Sequence, residues 1–340
     1  MATKYKHEFT SEKGTLWKVE LFDSTFAGAA IDVRSLSGGF RLSYDSESDD
    51  INQPIKASSL TFNMIIEDAT MESYIYSIID RPYGDIQLHI YKNSTIYWAG
   101  KINTALLKLE HSYFPYAVEF VAVDGLGDLT KLNFNSANWG SLGTQPTIAQ
   151  LFGNILGNCS IPTIIGTTNY FTTASPIYET QAPTTDDVFN KSRLYRAAFT
   201  DDNGDYKLNY HQVLTQLLTA FNCRVMLANG KWKIIDNRFY DYYTTWKEYV
   251  YNISGMQQSS STFNNSIAYN ATNRSRVFLA DPVIEFDPAL KYVEVKQIAD
   301  FDIRVDPSLS TSFSYGTSGS ALDRKSTRLN SSHITISYAV

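Results

Sequence analysis

The chain has 340 residues, of which 43% are hydrophobic and 19% are charged, so its composition allows a buried core and excludes a disordered protein. Its formal net charge of -6 argues against general nucleic-acid binding, because that binding needs lysine and arginine to displace phosphate counterions. The sequence contains no run of about 20 apolar residues and no apolar segment near its first residue, so we expect neither a membrane span nor a secretory leader.

The composition favours strands, because aromatic residues make up 14% of the chain and tyrosine and phenylalanine suit pleated surfaces. Residues 3–68 are predicted to be strands, and the last of them alternates cleanly through Leu60, Phe62, Met64 and Ile66. Residues 68–79 change to steps of three and four, which predicts one short helix. We therefore predict an N-terminal β-barrel-like domain with one helix over residues 1–130.

The stretch Gly84–Phe134 predicts antiparallel strands. Apolar residues alternate from Ile86 to Ile90, a polar turn follows at residues 92–94, and a second strand continues to Gly100. A third strand is predicted over residues 117–123. It stops at a turn in which glycine can adopt a positive φ.

Asp124 and Gly125 form that turn. A functional interpretation makes Asp124 a cation or substrate ligand at a strand end. A structural interpretation makes the turn the point where Leu126 and Leu129 enter the core, each contributing roughly 1.5–3 kcal/mol. We favour the structural interpretation and expect Gly125 to have a positive φ at a hinge between two modules.

Residues 131–240 are predicted to form an α+β insert of helices and a hairpin. Apolar stripes predict helices over 147–156 and 208–222, and the Asn229-Gly230 pair predicts a hairpin turn within residues 223–236. The segment 158–190, rich in Thr and Pro, is expected to be an extended excursion.

The remaining residues are predicted to begin a further, truncated β domain over 241–322. Strands are expected at 246–253, 283–286 and 292–298, with a long loop at 256–272. Residues 323–340 resemble a translated sequencing adapter, which suggests a metagenomic gene fragment that ends near Leu322, so we leave them out of fold reasoning.

Three groups of polar residues are candidates for binding a metal ion, and for each we favour a structural alternative. Asp201, Asn203 and Asp205 resemble the start of a calcium loop, but Gln212 stands where the closing glutamate is expected, so we favour a polar turn that caps the next helix. One acidic run lacks the calcium-loop pattern and is interpreted as a solvated loop: Asp45, Glu47, Asp49 and Asp50. The histidines share no ligand spacing and are interpreted as core or surface residues: His7, His89, His111, His211 and His333.

No catalytic signature stands out. Cys159 and Cys223 are far apart and are interpreted as buried thiols. No glycine-rich phosphate loop precedes a helix, and no Gly-x-Ser-x-Gly motif occurs. We expect no catalytic, cofactor-binding or metal-binding residues, no cofactor and no enzymatic activity.

The order of these motifs resembles that of baseplate hub, or tail-tip, proteins of tailed bacteriophages. The resemblance runs over residues 5–300 and is carried by the strand pair 90–102, the Ala122–Leu129 turn segment, the helices 147–156 and 208–222, and the hairpin that ends at Ile234. It implies a mainly β fold with an α+β insert, in which β-barrel-like hub domains are joined to a helix-and-hairpin domain.

The resemblance also implies a role in the virion. Such proteins form a trimeric ring that closes the tail tube, with a tail tube or distal tail protein above and a spike or fibre protein below. The chain would be a homotrimer in the phage tail, made in the bacterial host cytoplasm, without specific nucleic-acid binding. An acidic balance fits a channel that passes DNA without binding it.

Two other functions remain open. Five tryptophans and abundant tyrosines can stack on sugar rings, which fits a receptor- or carbohydrate-binding tail protein. Carboxylates that meet only in space would fit a cell-wall hydrolase, although no pair is singled out.

Overall fold

In the computed structural model, the described residues are 2–11, 14–45, 53–79, 81–104, 107, 113–135, 142–143, 145–159, 166–175, 187–201, 204–237, 245–264 and 303–305. Within them, the strands are β1 (Ala2–Thr10), β2 (Leu16–Asp23), β3 (Ile31–Asp32), β4 (Ser35–Asp45), β5 (Ala57–Ile66), β6 (Ile86–Lys92), β7 (Thr95–Ile102), β8 (Tyr116–Val123), β9 (Phe171–Ala174), β10 (Ser192–Leu194), β11 (Cys223–Ala228), β12 (Lys231–Asp236), β13 (Thr245–Tyr251), β14 (Gln257–Asn264) and β15 (Ile303–Val305). The helices are α1 (Ala69–Ile79), α2 (Ile148–Gly157), α3 (Val188–Lys191) and α4 (Tyr210–Ala220), with 3-10 helices at Leu126–Lys131 and Arg196–Phe199.

The first sheet has eight strands in the order β3-β1-β2-β6-β7-β8-β5-β4 and curls into a half-barrel. Its two edge strands, β3 and β4, belong to one stretch of chain. At the start of that stretch, the Val33 N–H donates to the Lys6 carbonyl at 2.8 Å, beside β1. One residue later, the Arg34 carbonyl accepts from the Ile65 N–H at 2.9 Å, beside β5. The same stretch of chain therefore joins both edges of the sheet, and we call this region the seam.

Helix α1 packs on the first sheet through Met71, Ile75 and Ile78, which are all buried. The helix begins where Asp68 accepts a hydrogen bond from the Met71 N–H at 2.8 Å. The Tyr74 hydroxyl, on the same helix, donates to the Asp23 carboxylate at the end of β2 at 2.9 Å. The predicted periodicity thus buries one face of α1 against the half-barrel.

The second sheet has five strands in the order β11-β12-β9-β13-β14, with β9 parallel to β12 and antiparallel to β13. Helices α2 and α4 each begin with a capping box, Thr147 with Gln150 and Asn209 with Gln212. One continuous cluster of buried apolar side chains includes residues of both sheets and of the helices. A separate two-stranded ladder pairs β10 with β15.

The predicted fold class, mainly β with helices inserted, is confirmed. The helices predicted at 68–79, 147–156 and 208–222 correspond to α1, α2 and α4, and the hairpin predicted at 223–236 corresponds to β11 and β12. The polar turn between β6 and β7 also occurs where it was expected, with positive φ at Asn93 and Ser94.

Two predictions of irregular structure are wrong. Part of the expected excursion 158–190 is β9, a central strand whose short run of Phe171 to Ala174 is buried on both faces and therefore shows no alternation. Part of the expected loop 256–272 is β14, whose Ser- and Gln-rich sequence has low strand propensity but pairs with β13. In both cases, tertiary pairing outweighs local propensity.

The domain boundaries stay a prediction. Strands β13 and β14 lie beyond residue 240, the predicted end of the insert, and still belong to the sheet that contains the hairpin. The strands expected at 283–286 and 292–298 and the adapter-like residues 323–340 lie outside the described residues, as do Glu47, Asp49 and Asp50.

Helix α1 allows a test of the half-barrel core. Ile75→Ala should lower the free energy of unfolding by about 2–5 kcal/mol, because Ile75 is fully buried and its truncation leaves a cavity. The neighbouring Tyr76→Ala, at a side chain that is 41% exposed, should change it by no more than about 0.5 kcal/mol. Urea denaturation measures both, and equal losses would contradict this packing of α1.

Candidate functional site: the joint between the two sheets

The first contact between the sheets is a short backbone ladder. The Lys56 N–H donates to the Val225 carbonyl at 2.9 Å, and the Val225 N–H donates to the Pro54 carbonyl at 2.7 Å. Ile55 and Val225 thus form a parallel bridge between the segment before β5 and strand β11. We call this ladder, together with the hairpin-turn contacts that follow, the joint.

The hairpin turn between β11 and β12 completes the joint. The Gly230 N–H donates to the Tyr97 carbonyl of β7 at 2.7 Å, and the Tyr44 hydroxyl donates to the Leu227 carbonyl at 2.8 Å. Gly230 has a φ of 68°, and a Cβ there would lie 2.4 Å from the Ile96 carbonyl oxygen. The Asn-Gly pair therefore serves both the hairpin turn and the close approach of the two sheets.

Asp124 organises the turn that leads from β8 towards the second sheet. Its carboxylate accepts hydrogen bonds from the N–H and the hydroxyl of Ser58, both at 2.7 Å, and from the Leu126 N–H at 3.0 Å. Ser58 in turn accepts from the Trp98 indole N–H at 2.8 Å. Burial raises the pKa of Asp124 to about 6, and the three donated hydrogen bonds act against that rise.

Gly125 has a φ of 87°, which confirms the expected positive φ at the turn. A Cβ at this position would lie 2.6 Å from the carbonyl oxygen of Cys159, just after α2. The 3-10 helix that follows buries Leu126 and Leu129, as the structural interpretation expects. The turn is thus the second place where the half-barrel chain packs closely against the helical part.

A partly buried ion pair lies beside this turn. Lys101 is 6% exposed, and its ammonium lies 2.8 Å from the Asp128 carboxylate and 5.1 Å from the centre of the Tyr83 ring. Burial, followed by the nearby Asp128 charge, raises the pKa of Tyr83. Burial also raises the pKa of the Cys159 thiol well above its usual value, so this cysteine is not primed for reaction.

Asp187 is a comparable buried carboxylate in the second sheet, and the sequence prediction missed it. It accepts hydrogen bonds from the hydroxyls of Thr173 and Tyr251, the latter at 2.7 Å, and caps α3. Burial raises its pKa to about 6. The only sequence signal for Asp187 is its position just before α3, where an aspartate can cap a helix. Its other partners, Thr173 and Tyr251, are distant along the chain and meet it only in the folded sheet.

The described residues of the candidate calcium loop, Asp201, Gly204 and Asp205, are joined by hydrogen bonds typical of a polar turn. Asp201 accepts from the Asp205 N–H at 2.9 Å and pairs with Lys207, while residues 202 and 203 lie outside the described part of the chain. The expectation that this turn caps the next helix is wrong, because Asn209 caps α4. Asn209, four residues closer to the helix than Asp205, supplies the acceptor directly.

The described histidines are dispersed. His89 is buried and stacks on Phe22 with ring centres 4.9 Å apart, and burial lowers its pKa from 6.5 to about 4. His7 lies at the seam and His211 lies in α4, whereas His111 and His333 lie outside the described residues. Both cysteines are buried thiols, as expected, and neither is part of a disulfide.

Among the described residues, no three His, Cys, Asp or Glu side chains are grouped so that they could hold a metal ion. None of the described helices combines the length and apolarity needed to cross a membrane. The best-defined arrangement in the described part of the chain is the joint. Backbone hydrogen bonds and close glycine contacts fix the half-barrel against the second sheet.

No protein-family model matches the chain, and no curated protein matches it. Among solved structures, the chain is similar to the 43 kDa tail protein of prophage MuSo2 from Shewanella oneidensis, with 12% sequence identity and a TM-score of 0.27. The similarity covers 52% of this chain and 46% of that chain, so this chain spans less than half of its neighbour's length. A TM-score of this size does not establish a shared fold.

Gly125→Val should lower the free energy of unfolding by about 3 kcal/mol or more, because valine is strained at positive φ and its Cβ would meet the Cys159 carbonyl. Gly127→Val is the matched control, since no atom lies within 4 Å of a Cβ there. Thermal and urea denaturation compare the two variants. Similar losses in both would show that the close approach at Gly125 is not what the turn requires.

The buried Asp124 carboxyl should make stability depend on pH. Its folded pKa of about 6 exceeds the usual 3.8, so its contribution to stability is greatest at low pH and is lost as pH rises from about 4 to about 6. The loss should be on the order of 3 kcal/mol. Asp124→Asn removes this titration, so its destabilisation relative to the unmodified protein should shrink by that amount between pH 4 and pH 7.

The comparison with the variant is needed because His89 acts in the opposite direction over the same pH range. Its folded pKa is lowered, so its neutral form favours folding above about pH 6 and this contribution is lost as pH falls towards 4. His89 is present in both proteins and cancels in the difference. A difference that does not vary with pH would contradict the raised pKa of Asp124.

Proposed function

We propose that the chain is a structural component of a phage tail, a baseplate hub or tail-tip protein that closes the tail tube and links it to spike or fibre proteins. It would act as a homotrimer in the virion, made in the bacterial host cytoplasm, with a tail tube or distal tail protein as its other partner. This role needs no chemical step, cofactor or metal ion.

The joint is the observation that carries the proposal. A component that transmits load between a tube and a spike must keep its modules in a fixed relation. Backbone hydrogen bonds at Val225 and Gly230 provide such a relation, because they bind main chain to main chain and leave little room for side-chain rearrangement.

The order of sequence motifs supports the proposal independently of the joint. The strand pair over 90–102, the turn at Asp124 and the helices α2 and α4 follow one another as they do in tail-hub proteins. Curled sheets also suit ring assemblies, since a sheet wall can present one face to its own core and the other to a neighbouring copy.

A carbohydrate-binding tail protein is the second candidate, and one observation favours it. Tyr113 is 96% exposed just before β8, and its neighbour Phe114 is 41% exposed and stacks on Tyr116. Exposed aromatic rings suit contacts with flat sugar faces. Binding on a glycan array that is lost with Tyr113→Ala would favour this candidate.

The hub proposal predicts a trimer of the 38.3 kDa chain, three copies or about 115 kDa, by mass photometry, and a ring by electron microscopy. Gly230→Ala should abolish the ring while leaving far-UV circular dichroism similar, because its methyl group would meet the Ile96 carbonyl and shift the joint. Gly204→Ala is the matched control, with a φ of 81° but open space around it.

Addition of a tail tube or distal tail protein should cap the tube end with this ring. A monomer at all concentrations would refute the trimeric hub. Rings that Gly230→Ala leaves unchanged would refute the role of the joint.

A further inference from the structure

The seam of the half-barrel brings Ser35 and His7 together, a contact that the structural role does not use. The Ser35 Oγ atom lies 3.2 Å from His7 Nε2, and His7 Nδ1 lies 2.9 Å from the Val33 carbonyl oxygen. A hydroxyl within reach of an imidazole that a third group orients is the arrangement found in activated nucleophiles. His7 lies in β1, Val33 lies between β3 and β4, and Ser35 is the first residue of β4.

The hydrogen bonds fix the roles of the two imidazole nitrogens. A carbonyl oxygen can only accept, so His7 Nδ1 carries the proton that it donates to Val33. In neutral His7, Nε2 then has a free lone pair directed at Ser35. The Ser35 hydroxyl has a second acceptor, the Leu36 carbonyl at 3.0 Å, so its single proton is shared between the two.

The backbone next to Ser35 contains a large bulge. The pairing between β4 and β5 shifts from Ser35–Met64 to Phe40–Phe62, so residues 36–39 stand opposite Asn63 alone. Extra residues in a bulge fall out of the regular ladder, and two of these are Gly38 and Gly39. The backbone that follows Ser35 therefore leaves the regular strand pairing.

The surroundings of the pair are apolar and partly open. The His7 ring stacks on Phe9 with centres 5.8 Å apart, and Phe9 lies 5.9 Å from Phe40. Leu36 is 48% exposed and Ser35 is half-buried. An apolar acyl group fits this environment better than a charged one.

We propose that Ser35 and His7 form a catalytic pair that hydrolyses carboxylic esters with an apolar acyl group. This activity goes beyond the structural role, and it would make the expectation of no enzymatic activity wrong. Because it uses the seam and not the joint, it can succeed or fail independently of the tail-hub proposal.

The reaction has two balanced steps. Ser35 Oγ bonds to the acyl carbon while its proton passes to His7 Nε2, and the ester C–O bond breaks as that proton passes to the leaving alcohol. Water then attacks the acyl-enzyme, giving its proton to His7, which returns a proton to Ser35 as the carboxylic acid leaves. The net reaction converts an ester and water into an acid and an alcohol.

The test uses the full chain, a fluorophosphonate probe and a p-nitrophenyl butyrate assay. The probe should add to Ser35, as found by intact mass and peptide mapping, and the ester should be turned over. Ser35→Ala should abolish both signals, and His7→Gln should lower both rates by about 10²–10⁴-fold, the usual contribution of a general base. Ser43→Ala, further along β4, should leave them unchanged.

A second substitution keeps the proposal testable if Ser35→Ala fails to fold. Ser35→Cys should react with iodoacetamide at least tenfold faster than Ser43→Cys, because His7 would favour its thiolate, and the buried Cys159 and Cys223 add little background. The proposal is overturned if the unmodified protein is not labelled, if labelling survives Ser35→Ala, or if the two cysteine variants react equally fast.

Discussion

The hydrogen bonds to the buried Asp124 carboxylate hold together the parts of the chain on which the rest of the fold depends. Through Ser58 they reach β5, through the Trp98 indole they reach β7, and through the Leu126 N–H they start the 3-10 helix. A carboxylate is suited to this place because it accepts several bonds at once and offers none of its own while ionised. Each donor that it satisfies is a group that burial would otherwise leave unpaired.

In the second sheet, Asp187 is also a buried carboxylate held by neutral hydrogen-bond donors. Asp23, at the end of β2 in the half-barrel, is held partly by a cation. Asp124 and Asp187 are buried among hydroxyl and N–H donors, and burial raises the pKa of both. Asp23 is also buried, but Arg81 reaches it at 2.7 Å from a position nearer to solvent. Burial alone would raise the pKa of Asp23, yet hydrogen bonds from Thr25 and Tyr74 and the Arg81 charge together lower it. Where a cation can stay partly hydrated, the carboxylate is held ionised. At Asp124 and Asp187, neutral hydroxyl and N–H donors hold the carboxylate instead.

Local sequence patterns predicted the elements whose burial is one-sided. The stripes of α2 and α4, the alternation of β5 and the Asn-Gly turn each leave a periodic or conformational trace that a single sequence displays. Strand β9 is buried on both faces and β14 is exposed on five consecutive residues, so neither alternates. The positive φ of Gly125 was predictable from its turn. Its distance to Cys159 was not, because that contact joins segments distant along the chain.

The same distinction applies to the joint and to the seam. At the joint, the atoms in contact are mainly backbone N–H and carbonyl groups, which every non-proline residue carries, so only glycine at 230 marks the contact in the sequence. At the seam, Ser35 and His7 are common residues far apart along the chain, and only the closure of the sheet makes them neighbours. A protein assembled in this way keeps its geometry through changes in most side chains. Contacts of this kind leave no residue signature, so a single sequence shows the order of the elements but not how they meet.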